Sequence, residues 1–387
     1  MGAVVGGLIS RTVLITGARA PVALQMARLL HGAGWAVHLA DSLGTPLAAG
    51  TRLKAGYHRL PSLRFDPDGA AKALAGLIRR LGVDLVIPTC EEVLHLARIW
   101  RDHAMPAPLF APPLALLEEV HDKYRFIGLC QRLGLKVPPT RLLRSPSEVQ
   151  AEEPGALVFK PVWSRFATQT LIRPDRRRLQ AVRPTPKAPW IAQDYIAGDE
   201  ICVYAVAHEG RAVAISAYRG LERAGLGASI AFAPMQDAAV EQFVQDFVAG
   251  TQWTGQVSFD LIRRADGSVL PIECNPRATS GLHFFRDPMG FASALLEGGP
   301  VAPDVTRPQG VRLALWLYGL RPGKLGCLRQ ALRGVQDVMD WPGDRIGLWG
   351  QLRPVAEIAG IALRNRIGLQ AASTRDIEWN GDQSSIS

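Results

Sequence analysis

Two acidic residues and an asparagine stand in a segment whose sequence is typical of one short hairpin. Apolar, strand-like residues flank Asp260 and Glu273, and the Asp-Gly-Ser sequence at 266–268 between them favours a tight turn. Because side chains alternate along a strand, the hairpin can place both carboxylates at the same end of one sheet face, with Asn275 two residues further along it. Carboxylate and carboxamide oxygens suit Mg²⁺, whose coordination shell is completed by phosphate oxygens and water. The pattern therefore predicts a magnesium site that binds a phosphate compound.

Arg277 ends the sequence Asn-Pro-Arg that follows the hairpin. Its guanidinium is a rigid fork of donors, which suits a transferred phosphate or a carboxylate. Cys274 lies between two of the predicted ligands, but strand alternation sends its side chain to the opposite face, so we interpret it as a buried core cysteine. Each acidic residue alone would be an ordinary surface charge. Their apolar surroundings and the neighbouring arginine favour phosphoryl chemistry.

The elements that must position these residues differ between the two parts of the chain. Up to about residue 120, short apolar runs alternate with helical patterns, which predicts parallel strands in a doubly wound sheet. The predicted strands of this region are 12–15, 35–39 and 84–88, and the predicted helices are 21–33 and 70–81. Prolines between residues 106 and 113 mark a connection to the next region.

Beyond this connection the strands have the pattern of antiparallel, partly exposed strands. They are predicted at 157–160, 190–193, 201–207, 212–217, 255–262 and 269–273, with a helix at 238–250. After residue 300 we expect a strand at 313–317, a helix near 328–338 and a polar tail.

The first predicted strand ends in a sequence that is similar to the start of a dinucleotide site, with Asp41 in the ribose-binding position. That site needs further glycines so that the backbone can approach a pyrophosphate, and residues 20–23 are Ala, Pro, Val and Ala. We therefore expect a Rossmann-like half-domain with an empty crevice. A nicotinamide-dependent dehydrogenase or reductase stays open as an alternative of a different class. The loop at 17–21, Glu91 and Glu92 would lie at the carboxyl ends of parallel strands, where they could face a substrate.

Further motifs of the chain resemble those of the ATP-grasp superfamily. Within it, they are most similar to the motifs of the carbamoyl-phosphate-synthase-like carboxylate–amine ligases. Lys123, in His-Asp-Lys, stands where the family has its first lysine, and Lys160, in Phe-Lys-Pro, stands where it has its second. The segment 191–200, which ends in Gly-Asp-Glu, matches the family's adenine linker and its Gly-x-Glu. With the Asp260–Arg277 region, these motifs follow one another in the family's order. The resemblance implies that the two lysines contact ATP phosphates from opposite lobes.

The resemblance also implies a nucleoside site in the linker. Gln193 would hydrogen-bond the edge of adenine, and Asp194 and Ile196 would contribute backbone groups. Glu200 would accept hydrogen bonds from the ribose hydroxyls.

The hairpin takes the metal and catalytic roles in this comparison. Asp260, Glu273 and Asn275 would hold one or two Mg²⁺ ions that bridge the phosphates, with Mn²⁺ as an alternative metal. Arg277 would be the catalytic residue, because it would stabilise charge on the transferred phosphoryl group or on the acyl phosphate. Phosphoryl transfer needs mainly positioning and charge neutralisation, and this set supplies both. ATP and Mg²⁺ are therefore the expected cofactors.

The resemblance implies an α/β fold in which a Rossmann-like N-terminal domain precedes a two-lobed ATP-grasp (α+β) clamp. We expect a pre-ATP-grasp domain at 11–120, an ATP-grasp domain at 121–300 with its lid lobe at about 157–225, and a C-terminal accessory segment at 301–387. The implied function is an ATP- and Mg-dependent, ADP-forming ligase. It would activate a substrate carboxylate as an acyl phosphate for attack by an amine, forming an amide-type bond.

One departure from the family keeps alternatives open. The family usually has a glycine-rich loop over the phosphates after its second lysine, but residues 162–168 contain no glycine. Ser164, Arg165 and Thr168 could bind phosphate through their side chains instead. An ATP-grasp phosphotransferase, a non-amide ligase and a nucleotide-binding protein that has lost turnover therefore remain alternatives.

Composition excludes several other classes of protein. The 44 basic and 35 acidic residues give a net charge of +9, but no zinc-finger spacing, basic zipper or aromatic RNA-binding signature accompanies it, so we expect no nucleic-acid partner. No apolar run reaches the ~18 residues of a membrane span, and five cysteines without a Cys-x-x-Cys pair argue against a disulfide scaffold or structural zinc. The first ten residues lack the basic start of a secretory signal. We expect a cytoplasmic protein with small-molecule carboxylate and amine substrates, and a homodimer stays open.

Overall fold

The structure is a computed structural model, and it describes residues 11–165, 169–223, 229–319, 332 and 334–381. The chain divides into two compact units. The first comprises the described residues up to Ala111 with Phe285–Val301 and Met339–Glu378, and the second comprises Pro112–Phe284, Ala302–Val338 and the described residues from Trp379 onward. Residues 301–387, expected as one accessory segment, therefore supply elements to both units.

The helices are numbered in chain order: α1 (Pro21–Gly32), α2 (Pro67–Leu81), α3 (Glu92–Asp102), α4 (Leu114–His121), α5 (Lys123–Arg132), α6 (Pro146–Ala151), α7 (Arg176–Leu179), α8 (Ala238–Thr251), α9 (Pro288–Leu296), α10 (Arg312–Gly319), α11 (Leu348–Asn365) and α12 (Leu369–Thr374). Short 3-10 helices span Leu47–Gly50 and Ser280–Phe284. None of the described helices combines the length and apolar character that crossing a bilayer requires.

The strands are numbered in the same way: β1 (Thr12–Thr16), β2 (Ala36–Asp41), β3 (Gly56–Arg59), β4 (Leu85–Ile87), β5 (Thr140–Leu143), β6 (Leu157–Pro161), β7 (Leu171–Ile172), β8 (Trp190–Asp194), β9 (Asp199–His208), β10 (Arg211–Arg223), β11 (Ser229–Met235), β12 (Gly255–Arg263), β13 (Val269–Asn275), β14 (Gln309–Gly310), β15 (Gln336–Asp337), β16 (Asp340–Trp341) and β17 (Asp344–Arg345).

The first unit is built on a parallel sheet with the strand order β3-β2-β1-β4. Strand β1 pairs in parallel with both β2 and β4, and β2 pairs in parallel with β3. Helix α1 connects β1 to β2, and α2 connects β3 to β4, so the predicted alternation of strands and helices is confirmed. Leu14 and Val86 of the sheet pack with Leu74 and Ile78 of α2 in a buried core.

Local signals in the sequence set both ends of α2. The carboxylate of Asp66 accepts a hydrogen bond from the backbone N–H of Gly69, which would otherwise lack a helical partner. Pro67 takes the first helical position, where its missing N–H costs nothing. Gly82 ends the helix at φ +62°, in the left-handed region that glycine adopts without strain.

A buried ion pair joins α1 to the C-terminal part of the first unit. Arg28 is fully buried, and its Nε donates to the carboxylate of Asp344 at 2.8 Å. Its Nη2 donates to the carbonyl oxygens of Met339 and Asp344, at 2.9 and 2.7 Å. A buried charge is stable only when it is paired and hydrogen-bonded, so these contacts fix the segment around β17 on α1.

The second unit contains two sheets. The smaller has the strand order β5-β8-β6-β7, and the larger has the order β13-β12-β9-β10-β11-β14-β15. All six strands predicted between residues 157 and 273 are present and pair antiparallel, and α8 is the helix predicted at 238–250. Phe243 and Phe247 of α8 meet Phe259 of β12 edge to face, with ring centroids 5.2 and 4.8 Å apart. The strand that carries Asp260 is thereby anchored in the core.

One expectation for residues beyond 300 is wrong, and a second falls largely outside the described residues. Residues 313–317, expected as a strand, belong to helix α10, and Leu315 is buried against Ile230 and Ala231. A short apolar run has no periodicity that distinguishes a buried strand from a buried helix, so tertiary packing decides. The helix expected near 328–338 falls largely outside the described residues, and the part that is described contains strand β15.

Candidate active site

The predicted metal ligands lie together on the hairpin of β12 and β13. Asp260 stands directly opposite Glu273 in the antiparallel register, and Ser258 stands opposite Asn275. Residues two apart share a face, so both carboxylates and the carboxamide point to the same side of the sheet. The Nδ2 of Asn275 donates to Oδ2 of Asp260 at 3.4 Å. The structure thus brings the three predicted oxygen ligands together.

Lys123 is placed by the first turn of α5. Asp122 caps this helix by accepting hydrogen bonds from two backbone N–H groups of the first turn, which fixes where the helix begins. The Lys123 side chain is buried, with Nζ 3.4 Å from Oε1 of Glu273. The same Nζ donates to the carbonyl oxygen of Ser164 at 3.0 Å.

Lys160 approaches the hairpin from the smaller sheet. It lies on β6, only 6% of the residue is exposed, and its Nζ donates to the carbonyl oxygen of Ile272 at 2.8 Å. Burial lowers the pKa of Lys160 to about 8, although the negative charge of Glu273 opposes this shift. Two ammonium groups from different elements therefore converge beside β13, as the predicted phosphate contacts require.

The two carboxylates of the hairpin have pKa values shifted in opposite directions. Burial raises the pKa of Asp260 to about 6, and the adjacent charge of Glu273 acts in the same direction. Burial alone would also raise the pKa of Glu273, but Lys123 and Lys160 outweigh it and hold that pKa below its usual value. Glu273 is therefore ionised at neutral pH, where it pairs with Lys123 and its charge also acts on Lys160.

The predicted adenine linker is β8 and the residues that follow it. Gln193 is buried, and its Nε2 donates to Oγ1 of Thr140 on the neighbouring strand at 2.9 Å. The backbone N–H of Asp194 donates to the carbonyl oxygen of Pro139 at 2.9 Å. Ile196 is half-buried in the segment between β8 and β9. Gln193 is thus oriented by a hydroxyl that the sequence did not indicate.

Glu200, the predicted ribose ligand, lies at the start of β9 and is partly exposed. Its Oε1 is 2.6 Å from Nη2 of Arg223 on β10. Sequence reasoning missed Arg223, because only the antiparallel pairing of β9 with β10 brings these positions together. A nucleotide that bound Glu200 would compete with this ion pair.

Arg277 is held next to the predicted metal ligands. Its Nη2 donates to Oδ1 of Asn275 at 3.0 Å, and its own carbonyl oxygen accepts from Oγ of Ser258 at 2.9 Å. A carboxamide oxygen has two lone pairs, so Asn275 can accept from Arg277 and retain one position for a cation. The donor set of two carboxylates and one carboxamide oxygen therefore fits Mg²⁺.

Two cysteines flank the carboxylates. Cys274 is buried, as predicted, and burial raises the pKa of its thiol well above the ordinary value. Cys202 of β9 stands opposite Asp260, and burial together with that carboxylate raises its thiol pKa as well. Both are therefore neutral packing residues, and the structure adds Cys202 as a neighbour of Asp260 that the sequence did not indicate.

The loop after Lys160 contacts the C-terminal end of the described chain. Nη2 of Arg165 donates to the carbonyl oxygen of Trp379 at 2.5 Å, and its Nη1 donates to Oδ1 of Asn380 at 3.0 Å. Thr168, also considered as a phosphate ligand, lies outside the described residues. Arg165 thus has partners other than phosphate in this structure.

The crevice of the first unit, expected to be empty, is filled by the chain itself. Arg19, in the loop after β1, pairs with Asp41 at 2.5 Å and with Asp376 at 2.7 Å. Ile377 is buried beside them, and the remaining cavity is only about 10 Å³. Asp41 is therefore not available to a ribose, which argues against a dinucleotide site.

The acidic residues after β4 face inward rather than toward a substrate. Glu91 and Glu92 are both buried. Glu92 accepts hydrogen bonds from Oγ1 of Thr16 at 2.8 Å and from the backbone N–H of Thr89 at 3.0 Å. Burial raises the pKa of Glu92. Gly17 is required here, since a Cβ at its φ of +70° would lie 2.6 Å from the Glu92 carboxylate. Their burial therefore does not support the possibility that these glutamates face a substrate.

Comparison with known proteins agrees with this geometry. Residues 120–281 match the protein-family model described as an ATP-grasp domain, in agreement with the motifs of this segment. Similar solved structures include an L-amino acid ligase from Bacillus licheniformis, with 16% identity, a TM-score of 0.59 and coverage of 75% of each chain.

Two further solved structures have a similar fold. A phosphoribosylamine–glycine ligase from Thermotoga maritima has 16% identity, a TM-score of 0.57 and coverage of 77% of this chain and 78% of its own. The biotin carboxylase domain dimer of a Hydrogenobacter thermophilus 2-oxoglutarate carboxylase, in complex with MgADP and bicarbonate, has 15% identity, a TM-score of 0.59 and coverage of 78% and 74%. At these identities the similarity shows the fold.

Proposed function

We propose that the protein is an ATP- and Mg²⁺-dependent, ADP-forming ligase that joins a carboxylate to an amine. The observation that carries this proposal is the convergence of Lys123 and Lys160 on β13, beside Glu273 and Asp260. Two cations that face two carboxylates on one sheet face are what a site for a polyphosphate and its metal needs. The named activities of similar folds, an L-amino acid ligase and a phosphoribosylamine–glycine ligase, support the same reaction class.

Each residue has a physical role in this proposal. Lys123 and Lys160 hold the phosphates, since an ammonium is a compact, strongly hydrated charge and phosphate oxygens can replace the water around it. Asp260, Glu273 and Asn275 hold Mg²⁺, which would neutralise phosphate charge when bound. Gln193, with backbone groups of Asp194 and Ile196, orients the adenine, and Glu200 meets the ribose after it releases Arg223.

The chemistry follows in two balanced steps. A substrate carboxylate oxygen attacks the γ-phosphorus of ATP, the bond to the β-phosphate oxygen breaks, and ADP leaves. The amine nitrogen then attacks the carbonyl carbon of the acyl phosphate, inorganic phosphate leaves, and the nitrogen loses a proton. Arg277 stabilises charge on the phosphoryl group in the first step and on the departing phosphate in the second.

An isotope experiment tests this order of bonds. A screen of amino acids and small carboxylates, in pairs, for stimulated phosphate release would first identify the substrate acid. With ¹⁸O in that carboxylate, one label should appear in the released phosphate, because the carboxylate oxygen becomes the bridging oxygen of the acyl phosphate. Label in AMP would overturn the acyl-phosphate mechanism.

The same experiment separates the alternatives. A phosphotransferase acting on a hydroxyl would release ADP and leave the carboxylate label in the acid. A nucleotide-binding protein without turnover would show no substrate-dependent ADP release, and the contacts of Arg165 with Trp379 and Asn380 are the observation that favours this second candidate. A homodimer, the assembly in which the biotin carboxylase domain was crystallised, stays a prediction that light scattering would test.

A further inference from the structure

A cavity of about 630 Å³ lies within the first unit, and none of its lining residues belongs to the ATP-grasp motifs. Residues that follow β2 and β3 form one wall, and α11 with residues 372–376 forms the other. Its volume lies within the range of small-molecule sites, roughly 300–1,000 Å³. Its position is also informative, because open α/β sheets usually bind ligands outside the carboxyl ends of their strands.

Three arginines line this cavity: Arg59, Arg364 and Arg375. The Nε of Arg59 donates to the carbonyl oxygen of Ser42 at 3.0 Å, and the Nε of Arg364 donates to that of Gly360 at 3.2 Å. These bonds orient the guanidiniums and leave their terminal nitrogens without a hydrogen-bond partner among the described residues. Within that same part of the chain, no carboxylate lies in ion-pairing distance of the three arginines.

Two carboxylates on the cavity wall are already held by other groups. Glu357 accepts hydrogen bonds from the backbone N–H groups of Gly44 and Thr45, at 2.7 and 2.8 Å, and from the Thr45 hydroxyl at 2.8 Å. Asp376 pairs with Arg19 at 2.7 Å. Among the described residues, neither carboxylate forms an ion pair with the three arginines, although the charge of Arg59 helps to lower the pKa of Glu357. The cavity therefore keeps an excess of positive charge that a ligand can satisfy.

The aromatic ring of Phe65 gives the cavity an apolar surface beside its charged groups. Phe65 lines the cavity with 53% of the residue exposed, so part of its apolar surface is accessible to a ligand. The guanidinium of Arg375 lies over its ring, 4.6 Å from the centroid, and that of Arg64 lies at 5.3 Å. Leu43 and Ile361 add apolar surface. A planar or apolar group could pack here while an anionic group meets the arginines.

We propose that this cavity is a binding site for a small anionic molecule with a ring or apolar body. Its phosphate or carboxylate group contacts Arg59, Arg364 and Arg375, since guanidiniums bind both groups through paired N–H donors. Its apolar part packs on Phe65. The site is separate from the proposed ATP chemistry in its residues, so it can be tested whether or not the protein is a ligase.

Calorimetric titration of the full chain with 1-naphthyl phosphate tests this proposal, because the probe combines one phosphate with one ring system. The titration is carried out with saturating ADP and Mg²⁺, so that the proposed nucleotide site does not bind the probe. We expect saturable binding that inorganic phosphate alone reproduces only weakly. A parallel titration with 1-naphthoate shows whether a carboxylate serves as well as a phosphate.

Arginine variants locate the site. The double variant Arg364→Gln/Arg375→Gln should weaken binding about 10-fold or more, because charge-assisted hydrogen bonds are the strong class. Arg79→Gln is the matched control, since Arg79 is an exposed arginine of α2 in the same unit that does not line the cavity. Circular dichroism and melting temperature confirm folding of each variant, and Arg364→Gln alone serves if the double variant fails to fold. Absence of saturable binding, or an equal loss in the control, would overturn the proposal.

Discussion

The affinity for ATP should decrease as the pH rises above 8, and we expect Lys160 to cause this decrease. Burial lowers its pKa to about 8 in the free protein. Phosphates near Nζ favour the charged ammonium, so bound ATP raises that pKa and binding takes up protons. If only the ammonium form binds well, the observed affinity follows its population. This population is about nine-tenths at pH 7 and about one-tenth at pH 9, so Kd should increase roughly 10-fold over that interval.

Isothermal titration calorimetry with MgATP at several pH values, in buffers of different ionisation enthalpy, measures both quantities. At pH 8, binding of MgATP to the wild type should be accompanied by the uptake of at most about half a proton, which is the fraction of Lys160 that is uncharged at its pKa. Lys160→Arg is the matched variant, since a guanidinium stays charged across this range. It should bind with little dependence on pH and without this uptake. Absence of uptake by the wild type, or the same pH dependence in both proteins, would refute the reasoning.

Three further changes test the rest of the structure. Glu273→Gln should remove the stabilisation that MgATP gives beyond ATP alone. In the wild type the total stabilisation by MgATP is about 2.7 kcal/mol at one hundred times Kd, thermal unfolding measures it, and equal stabilisation of both proteins would contradict the metal assignment. Arg277→Lys should lower turnover roughly 10²–10³-fold while changing the Kd of ATP much less, which phosphate-release kinetics and calorimetry distinguish. Asp344→Asn should cost about 3–5 kcal/mol in urea denaturation because it leaves Arg28 buried without its carboxylate. Asp340→Asn, which removes an exposed partner of Arg345, should cost within about 1 kcal/mol, and equal costs would contradict the role given to burial.

The geometry of the β12–β13 hairpin, which carries the proposed metal ligands, could be predicted from the sequence because it is local. A tight turn fixes the pairing of two strands, and alternation then decides which side chains share a face. Asp260, Glu273 and Asn275 follow this rule, and Cys274 follows it on the other face. The parallel sheet was predictable for a similar reason, since the alternation of strands and helices leaves parallel pairing as the simple solution.

Contacts between distant parts of the chain could not be predicted in this way. The pairing of Arg19 with Asp376 joins residues 357 positions apart, and no local pattern marks either one as the partner of the other. The crevice therefore looked empty from the sequence, although Ile377 fills it. The same holds for the contacts of Arg165 with Trp379 and Asn380. Helix α10 was missed for a different reason, because its apolar run is equally compatible with a buried strand.

The pairing of charges around β13 gives a reason why ATP and its metal should bind together. In the structure, Glu273 is the partner of Lys123, and its charge also acts on Lys160. Phosphates that attract the two lysines would leave Glu273 and Asp260 as adjacent, half-buried carboxylates without a cation, which is unfavourable. A divalent cation removes that cost, and a cation without phosphates would instead leave the ammoniums without an anionic partner. We therefore expect binding of ATP to increase the affinity for the metal, and binding of the metal to increase the affinity for ATP. The coupling free energy must be the same in both directions.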